Sequence, residues 1–184
     1  MSYHDSTTPK ESRDTWCTPP EIYAALDREF HFVGDVAASD TNHLHLTYLT
    51  EKDDALSPET PWGFAFHDGY VWCNPPYSDI MPWVKKAQQD DCDGVGVVML
   101  VPADVLVGWF RRALIDVSEV RFITGGRLAF INPETGKPAG GGRMGSMLLI
   151  WNRQRPGTRP FTTAARDDLM SYGSYLLSSI RSAT

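Results

Sequence analysis

The 184-residue chain contains no CxxC pair, and its three cysteines, Cys17, Cys73 and Cys92, are an odd number. No disulfide framework is implied, and reduced thiols in a reducing compartment are expected. No apolar run approaches the roughly 20 residues of a membrane-spanning helix. The opening segment MSYHDSTTPKESRD lacks the apolar core of a secretory signal. A cytoplasmic protein with no membrane partner is expected. There is no internal repeat, and no Gly-x-Gly follows the first predicted strand, where DVAAS stands instead. His43 and His45 form an HxH without a third ligand, so no metal is expected.

What is present fits one soluble domain with a sizeable core, at 42% hydrophobic and 11% aromatic residues. The net charge of −6 is unevenly spread. Residues 1–70 hold 13 acidic and 4 basic side chains, whereas residues 71–184 hold 10 acidic and 13 basic. Residues 121–159 carry Arg121, Arg127, Lys137, Arg143, Arg153, Arg155 and Arg159 against Glu134 alone. A basic band on an acidic chain is compatible with phosphate contact and equally with a solvated surface.

Residues 1–15 read as a flexible arm, with 16–184 as one domain. In WCTPPEIYAALDREF, Thr18 suits an N-cap, Pro19 the first helical position and Glu21 the third residue of a capping box. Ile22, Ala25, Leu26 and Phe30 then form an apolar stripe, so a helix is expected over about 19–29. HFVGDVAAS reads as a strand ending near Asp35, and residues 40–69 read as irregular. GYVWCN is a strand stopped by Pro75, and a helix begins near Met81 with Trp83, Val84 and Ala87 facing inward. GVGVVMLV, ended by Pro102, is the clearest buried strand. ADVLVGWFRRALI reads as helical, with Leu106, Trp109 and Phe110 in the core. EVRFIT, RLAFI and SMLLIW read as strands, NPETGKPAGGGRMG as a mobile loop near 132–146, and 164–180 as a last helix. The order predicts an α/β fold: a mixed, mostly parallel sheet with an antiparallel C-terminal edge and flanking helices. Ligands bind such sheets beyond the carboxyl ends of their strands, where Asp35 and Asn74 both fall.

The stretch VWCNPPYSD carries the chemistry. Turn formation explains its prolines but not the residues flanking them. The Asn74 amide offers a carbonyl acceptor, and the Pro75 carbonyl, held stiff by Pro76, offers a second. Two fixed acceptors suit an NH2 group, and Tyr77 offers a face on which a planar base can stack. Accepting both hydrogens of a ring-conjugated amino group frees its lone pair to attack an activated methyl, with no strong base needed beforehand. Cys73, just before Asn74, reads as core, since amino methylation needs no thiol nucleophile.

NPPY at 74–77 resembles the Asp/Asn/Ser-Pro-Pro-aromatic motif of amino-group methyltransferases that use S-adenosylmethionine. More narrowly, the ordered series DTWCTPPEIYAAL, DVAASDTN, DDAL with Trp62 downstream, WCNPPYSD…W, VMLVPAD…WF and GRLAFI…GSMLLIW resembles the phage-type DNA N6-adenine methyltransferases over about residues 14–151. That resemblance implies a Rossmann-like methyltransferase fold, S-adenosylmethionine as cofactor and double-stranded DNA in a bacterial host cell as partner. It implies Asn74, Pro75, Pro76 and Tyr77 as the catalytic loop. It implies Trp16, Thr18, Pro19, Asp35, Ala37, Ala38, Asp54 and Ala55 as cofactor-binding. Arg127, Lys137 and Arg143, in and beside the loop 132–146, are the candidate DNA contacts. The loop chemistry by itself leaves open cytosine N4, an RNA base or a protein glutamine as acceptor. A non-catalytic nucleic-acid-binding module is the reading from a different class. Target sequence and oligomeric state are not legible.

Overall fold

The computed structural model describes residues 14–66, 69–90, 94–138, 144–152 and 160–182. Helix α1 spans Pro20–Phe30, one residue later than the spacing predicts at each end. Ile22, Ala25, Leu26 and Phe30 are buried along it as expected. The expected Thr18 capping box does not form: Pro19 is the N-cap and no side chain caps the helix. Prolines at 19 and 20 remove two of the N–H groups a cap would satisfy. The Pro19 carbonyl closes the first turn by accepting the N–H groups of Ile22 (3.0 Å) and Tyr23 (3.3 Å).

The chain continues through β1 (Phe32–Asp35), a 3₁₀ turn (Glu51–Asp53), the single-turn α2 (Trp62–Ala65), β2 (Tyr70–Cys73) and α3 (Met81–Asp90). Then follow β3 (Gly96–Pro102), α4 (Gly108–Ala113), β4 (Glu119–Thr124), β5 (Ser146–Trp151), β6 (Phe161–Ala165) and α5 (Arg166–Arg181). The six strands form one sheet in the order β1-β2-β3-β5-β4-β6. β1, β2 and β3 pair in parallel, as do β4 and β6, and β5 runs antiparallel to both β3 and β4. The α/β class and the mixed, mostly parallel sheet are as the sequence reads. The antiparallel strand, however, lies inside the sheet rather than at its edge. Its six residues are all buried, so it is the strand most in need of a neighbour on each side.

Side chains alternate between two cores across the sheet. Val97, Met99, Val101, Met147, Leu149 and Trp151 face α3 and α4, together with Trp62, Val84 and Phe110. Trp72, Val98, Leu100, Leu148 and Ile150 face Ile22, Leu26 and Phe30 of α1 and Leu169 and Met170 of α5. α1 and α5 touch so closely that a Cβ on Gly173 would lie 1.9 Å from the Glu21 carbonyl oxygen.

Four local expectations are corrected. Residues 103–107 are not helical. Asp104 makes a turn by donating its N–H to the Pro102 carbonyl (2.8 Å) and accepting the Leu106 N–H on its carboxylate (3.0 Å). Leu106 is accordingly exposed, not core, whereas Phe110 is buried. RLAFI forms no strand, because Gly125 and Gly126 (φ 79° and 148°) turn the chain away and β5 is already paired on both sides. Leu128 still buries its side chain against α1's core, and Ile131 makes isolated bridges to Cys17 and Pro138. Residues 161–165, not read as a strand, pair with β4 as the far edge. Within 40–69, a 3₁₀ turn and α2 form where the sequence reads as irregular.

The basic band is also thinner than it reads. Arg121 donates two hydrogen bonds to Glu29 (2.7 and 2.8 Å) and one to Glu119 (2.8 Å), and its guanidinium lies 5.4 Å from the centre of the Phe30 ring. It holds β4 to α1 instead of facing solvent. Arg143, Arg153, Arg155 and Arg159 lie outside the described residues. Among the described residues, no helix is long and apolar enough to cross a membrane.

Candidate active site

Parallel pairing of β1 with β2 brings Asp35 level with Trp72, so the segments leaving the two strands run side by side. Val36 continues the contact by donating its N–H to the Trp72 carbonyl (3.0 Å). Residues 36–38 and Asn74 therefore share a crevice at the carboxyl edge of the sheet. A cleft of about 680 Å³ opens there. Among the residues lining it are Trp16, Ala37, Ala38, Asp54, Ala55, Asn74 and Pro76. Seven of the residues marked out in the sequence thus converge. Thr18, Pro19, Asp35, Pro75 and Tyr77 are not among the lining residues but adjoin them in the strap, β1 and the Pro-Pro loop.

Asp35 is 4% exposed and acts as a brace. Its carboxylate accepts the N–H groups of Ala37 (3.3 Å) and Leu44 (3.1 Å), which shapes the loop forming one side of the cleft. Burial pushes this carboxyl up to about 6, against the pull of those hydrogen bonds and of His43 and His45. The two histidines serve the same loop: His43 stacks on Tyr48 with ring centres 4.1 Å apart, and His45 Nδ1 accepts the Thr47 N–H (3.0 Å).

Another side is built by the DDAL stretch. The Asp53 carboxylate accepts both the N–H and the hydroxyl of Thr50 (2.7 Å each), making the turn that presents Glu51 and Asp54. Buried Trp62 donates its indole N–H to the Ala55 carbonyl (2.9 Å), which ties DDAL to the downstream tryptophan. Thr50 and Glu51 line the cleft although they were not singled out in the sequence. The signal was there in TEKD, a Thr with an acidic residue three positions on.

A strap, Asp14–Thr18, crosses the Pro-Pro loop. Asp14 accepts the Ser78 N–H (3.0 Å), the Trp16 carbonyl accepts from the Asn74 amide nitrogen (3.4 Å), and Cys17 exchanges two 2.9 Å backbone bonds with Ile131. Asp14 falls in the segment whose sequence reads as a flexible arm, and its partner is 64 positions away, so nothing local reveals the contact. The bond to Trp16 orients the Asn74 amide and leaves its Oδ1 buried without a partner. Trp16 Nε1, Thr18 Oγ1 and the Tyr77 hydroxyl are in the same condition, so four of the five such side-chain atoms among the described residues belong to this site. Buried polar atoms are nearly always paired, so the cluster marks a place prepared for another molecule. Tyr77 packs edge-on to Phe130 at 6.0 Å, and burial pushes its hydroxyl far above the usual range. Cys73 is fully buried, and burial, then the nearby Asp35, raise its thiol likewise, which leaves it inert packing.

Among the described lining residues are the acidic Asp14, Glu51, Asp54 and Glu134 and no Lys or Arg. Such a wall suits a cationic, hydroxyl-rich ligand and repels a phosphate backbone. Glu134 reaches it from a compact turn. The Asn132 carboxamide accepts the N–H groups of Glu134 (2.8 Å) and Thr135 (3.2 Å), and Gly136 (φ 64°) donates to the Asn132 carbonyl (2.8 Å). Lys137 on this turn and Arg127 before it are exposed, and Arg143 lies outside the described residues.

Comparison with known proteins agrees with this architecture. Residues 5–176 match the family described as DNA N-6-adenine-methyltransferase (Dam). A DNA N-6-adenine-methyltransferase of Escherichia phage T1 is 33% identical over 170 residues, covering 84% of this chain and 69% of the relative. One of Haemophilus phage HP1 (strain HP1c1) is 29% identical over 154 residues, covering 82% and 86%. The chain belongs to the DNA N-6-adenine-methyltransferase family.

Proposed function

We propose that the protein transfers a methyl group from S-adenosylmethionine to the N6 amino group of adenine in double-stranded DNA. One observation carries the reading: the buried, unpartnered Oδ1 of Asn74, held in orientation by the Trp16 carbonyl in the lining of an acidic cleft.

The chain's residues fit the cofactor. The unpartnered Trp16 Nε1 and Thr18 Oγ1 can donate to it, Asp54 and Ala55 bound the end suited to the adenosine, and the acidic wall favours its positive sulfonium. Asp35 shapes the Ala37–Ala38 wall, and Pro19 seats the strap on α1. When bound, S-adenosylmethionine supplies an electrophilic methyl group. Asn74 Oδ1 and the Pro75 carbonyl accept the two hydrogens of N6, which localises the nitrogen lone pair and meets the positive charge that develops there. Pro76 keeps the Pro75 carbonyl stiff, and Tyr77 provides the stacking surface.

A paired adenine cannot reach this edge of the sheet, so the base is turned out of the duplex. The acidic wall admits the neutral base and keeps phosphates outside, where Arg127, Lys137 and Arg143 contact them. Residues 16–184 act as one catalytic domain. The test is to incubate duplex DNA with the protein and isotopically labelled S-adenosylmethionine, digest it to nucleosides and identify the labelled one by mass spectrometry. N6-methyldeoxyadenosine is expected. N4-methyldeoxycytidine, or no labelled nucleoside at all, would overturn the reading.

A further inference from the structure

The carboxyl edge of the sheet carries a second feature that the chemistry at Asn74 does not use. β2 ends at Cys73, which is level with Met99, whereas β3 runs three residues further to Pro102. At about 3.3 Å per residue, the turn after β3 begins roughly 10 Å beyond the level of Cys73, on the strand next to Asn74's. The tip of that turn is apolar. Leu106 is 93% exposed and Val105 52%, and the bond from the Ala103 N–H to the carbonyl of Gly145 (2.9 Å) puts Met144, 45% exposed, across from the start of the turn. Three of the exposed large hydrophobic side chains thus gather at the edge where the site opens.

The tip is preformed. The Asp104 carboxylate holds the Leu106 N–H at 3.0 Å, fixing the apex, and Trp109 and Phe110 of α4 anchor the turn's far end in the core. The exposed Arg111 lies on the helix directly after it, whereas Arg112 donates its Nε–H to the Gln88 Oε1 (2.6 Å). A fixed, exposed leucine on a turn that leads into the exposed Arg111 suits a base stack bordered by phosphates. Turning a base out of the duplex leaves an apolar gap of side-chain size, and proteins that distort DNA fill such gaps with Leu, Ile, Phe or Met. We propose that Leu106, flanked by Val105 and Met144, is a wedge that enters the stack and occupies the space the adenine leaves. This rests on the reading of the protein as a methyltransferase acting on duplex DNA.

The experiment compares the wild type with Leu106→Gly and Leu106→Phe on genomic DNA from a host lacking adenine methylation, both native and heat-denatured. The readout is labelled methyl incorporation. Leu106 makes no core contact, so unfolding temperatures should be unchanged. Leu106→Gly should lower kcat/KM on native DNA by about tenfold or more, and by less than about twofold on denatured DNA, where no stack needs opening. Leu106→Phe should retain activity on native DNA, and this contrast decides the matter if denatured DNA is a poor substrate. Equal loss on both forms, undiminished activity of Leu106→Gly on native DNA, or failure of phenylalanine to substitute would overturn the wedge. So would a change of particle mass in Leu106→Gly by light scattering, which would make the tip a contact between copies. A wild type that labels neither form of DNA overturns the functional reading itself, which separates the two failures.

Discussion

Replacing Asn74 with alanine separates what this residue does for the reaction from what it does for the fold. Its Oδ1 is buried without a partner, and among the described residues the one hydrogen bond of its side chain is the long 3.4 Å contact from Nδ2 to the Trp16 carbonyl. Leaving a buried acceptor unpaired costs about 1–3 kcal/mol, while a bond of that length contributes at most about 0.5 kcal/mol. Alanine removes both, so stability should hold or rise by roughly 1 kcal/mol, about 2–4 °C for a chain of this size. The reaction should suffer in the opposite sense. Loss of one preorganised partner for developing charge costs about 100- to 1,000-fold in kcat. The Pro75 carbonyl, being main chain, stays. Single-turnover methyl transfer gives kcat, calorimetric unfolding gives stability, and titration with S-adenosylmethionine should give a Kd within about threefold of wild type, under 1 kcal/mol. Near-normal turnover would refute the role given to Asn74. A loss of turnover matched by a lower unfolding temperature would refute the separation, making Asn74 a structural residue.

Three further outcomes follow from particular contacts. Arg121→Ala breaks the paired hydrogen bonds to Glu29 and the bond to Glu119. It should destabilise by about 2–3 kcal/mol in urea unfolding while leaving the salt dependence of DNA binding unchanged, and a shallower salt slope would return Arg121 to the DNA-contacting set. Asp35 has a folded pKa near 6, above its unfolded value, so its neutral form stabilises the fold below pH 4 and that contribution is lost as pH rises through 6. The unfolding temperature should therefore rise between pH 7 and pH 5, by an amount corresponding to about 1.4 kcal/mol, and Asp35→Asn should flatten the rise. Glu119 sits lower because bonds from Arg121 and Thr162 outweigh its burial, so its stabilisation is lost only as pH falls below the normal glutamate range, outside that window. Gly173→Ala forces a Cβ onto the Glu21 carbonyl and should cost about 1–3 kcal/mol despite alanine's better helix propensity, so a stabilised variant in urea unfolding would show that the helices part freely.

Much of the frame was legible because it rests on local patterning. The runs of β2, β3 and β5 are apolar on both faces, the stripe of α1 repeats every three to four residues, and Pro75 and Pro102 end strands by lacking an N–H. Misread segments had patterns that tertiary context overrode. RLAFI alternates like a strand, but both sides of β5 were taken and two glycines turned the chain away. Leu106 sits in a helical period, but the Asp104 side chain captured its N–H and drew it to the surface.

The sequence by itself determined the α/β class, the Asn74–Tyr77 loop and the family resemblance, since each depends on residues adjacent or regularly spaced. Only the tertiary structure decided that Trp16, Ala37, Asp54 and Asn74 share one cleft, that Asp14 straps Ser78, and that β5 lies inside the sheet. It likewise assigned Asp35 to bracing a loop and Arg121 to holding a helix. The physical reason is common to all of these. A hydrogen bond or a salt bridge is made by groups within a few ångströms of each other. Separations of 58, 64 or 92 residues become contacts only after strand pairing and core burial have set the path of the chain.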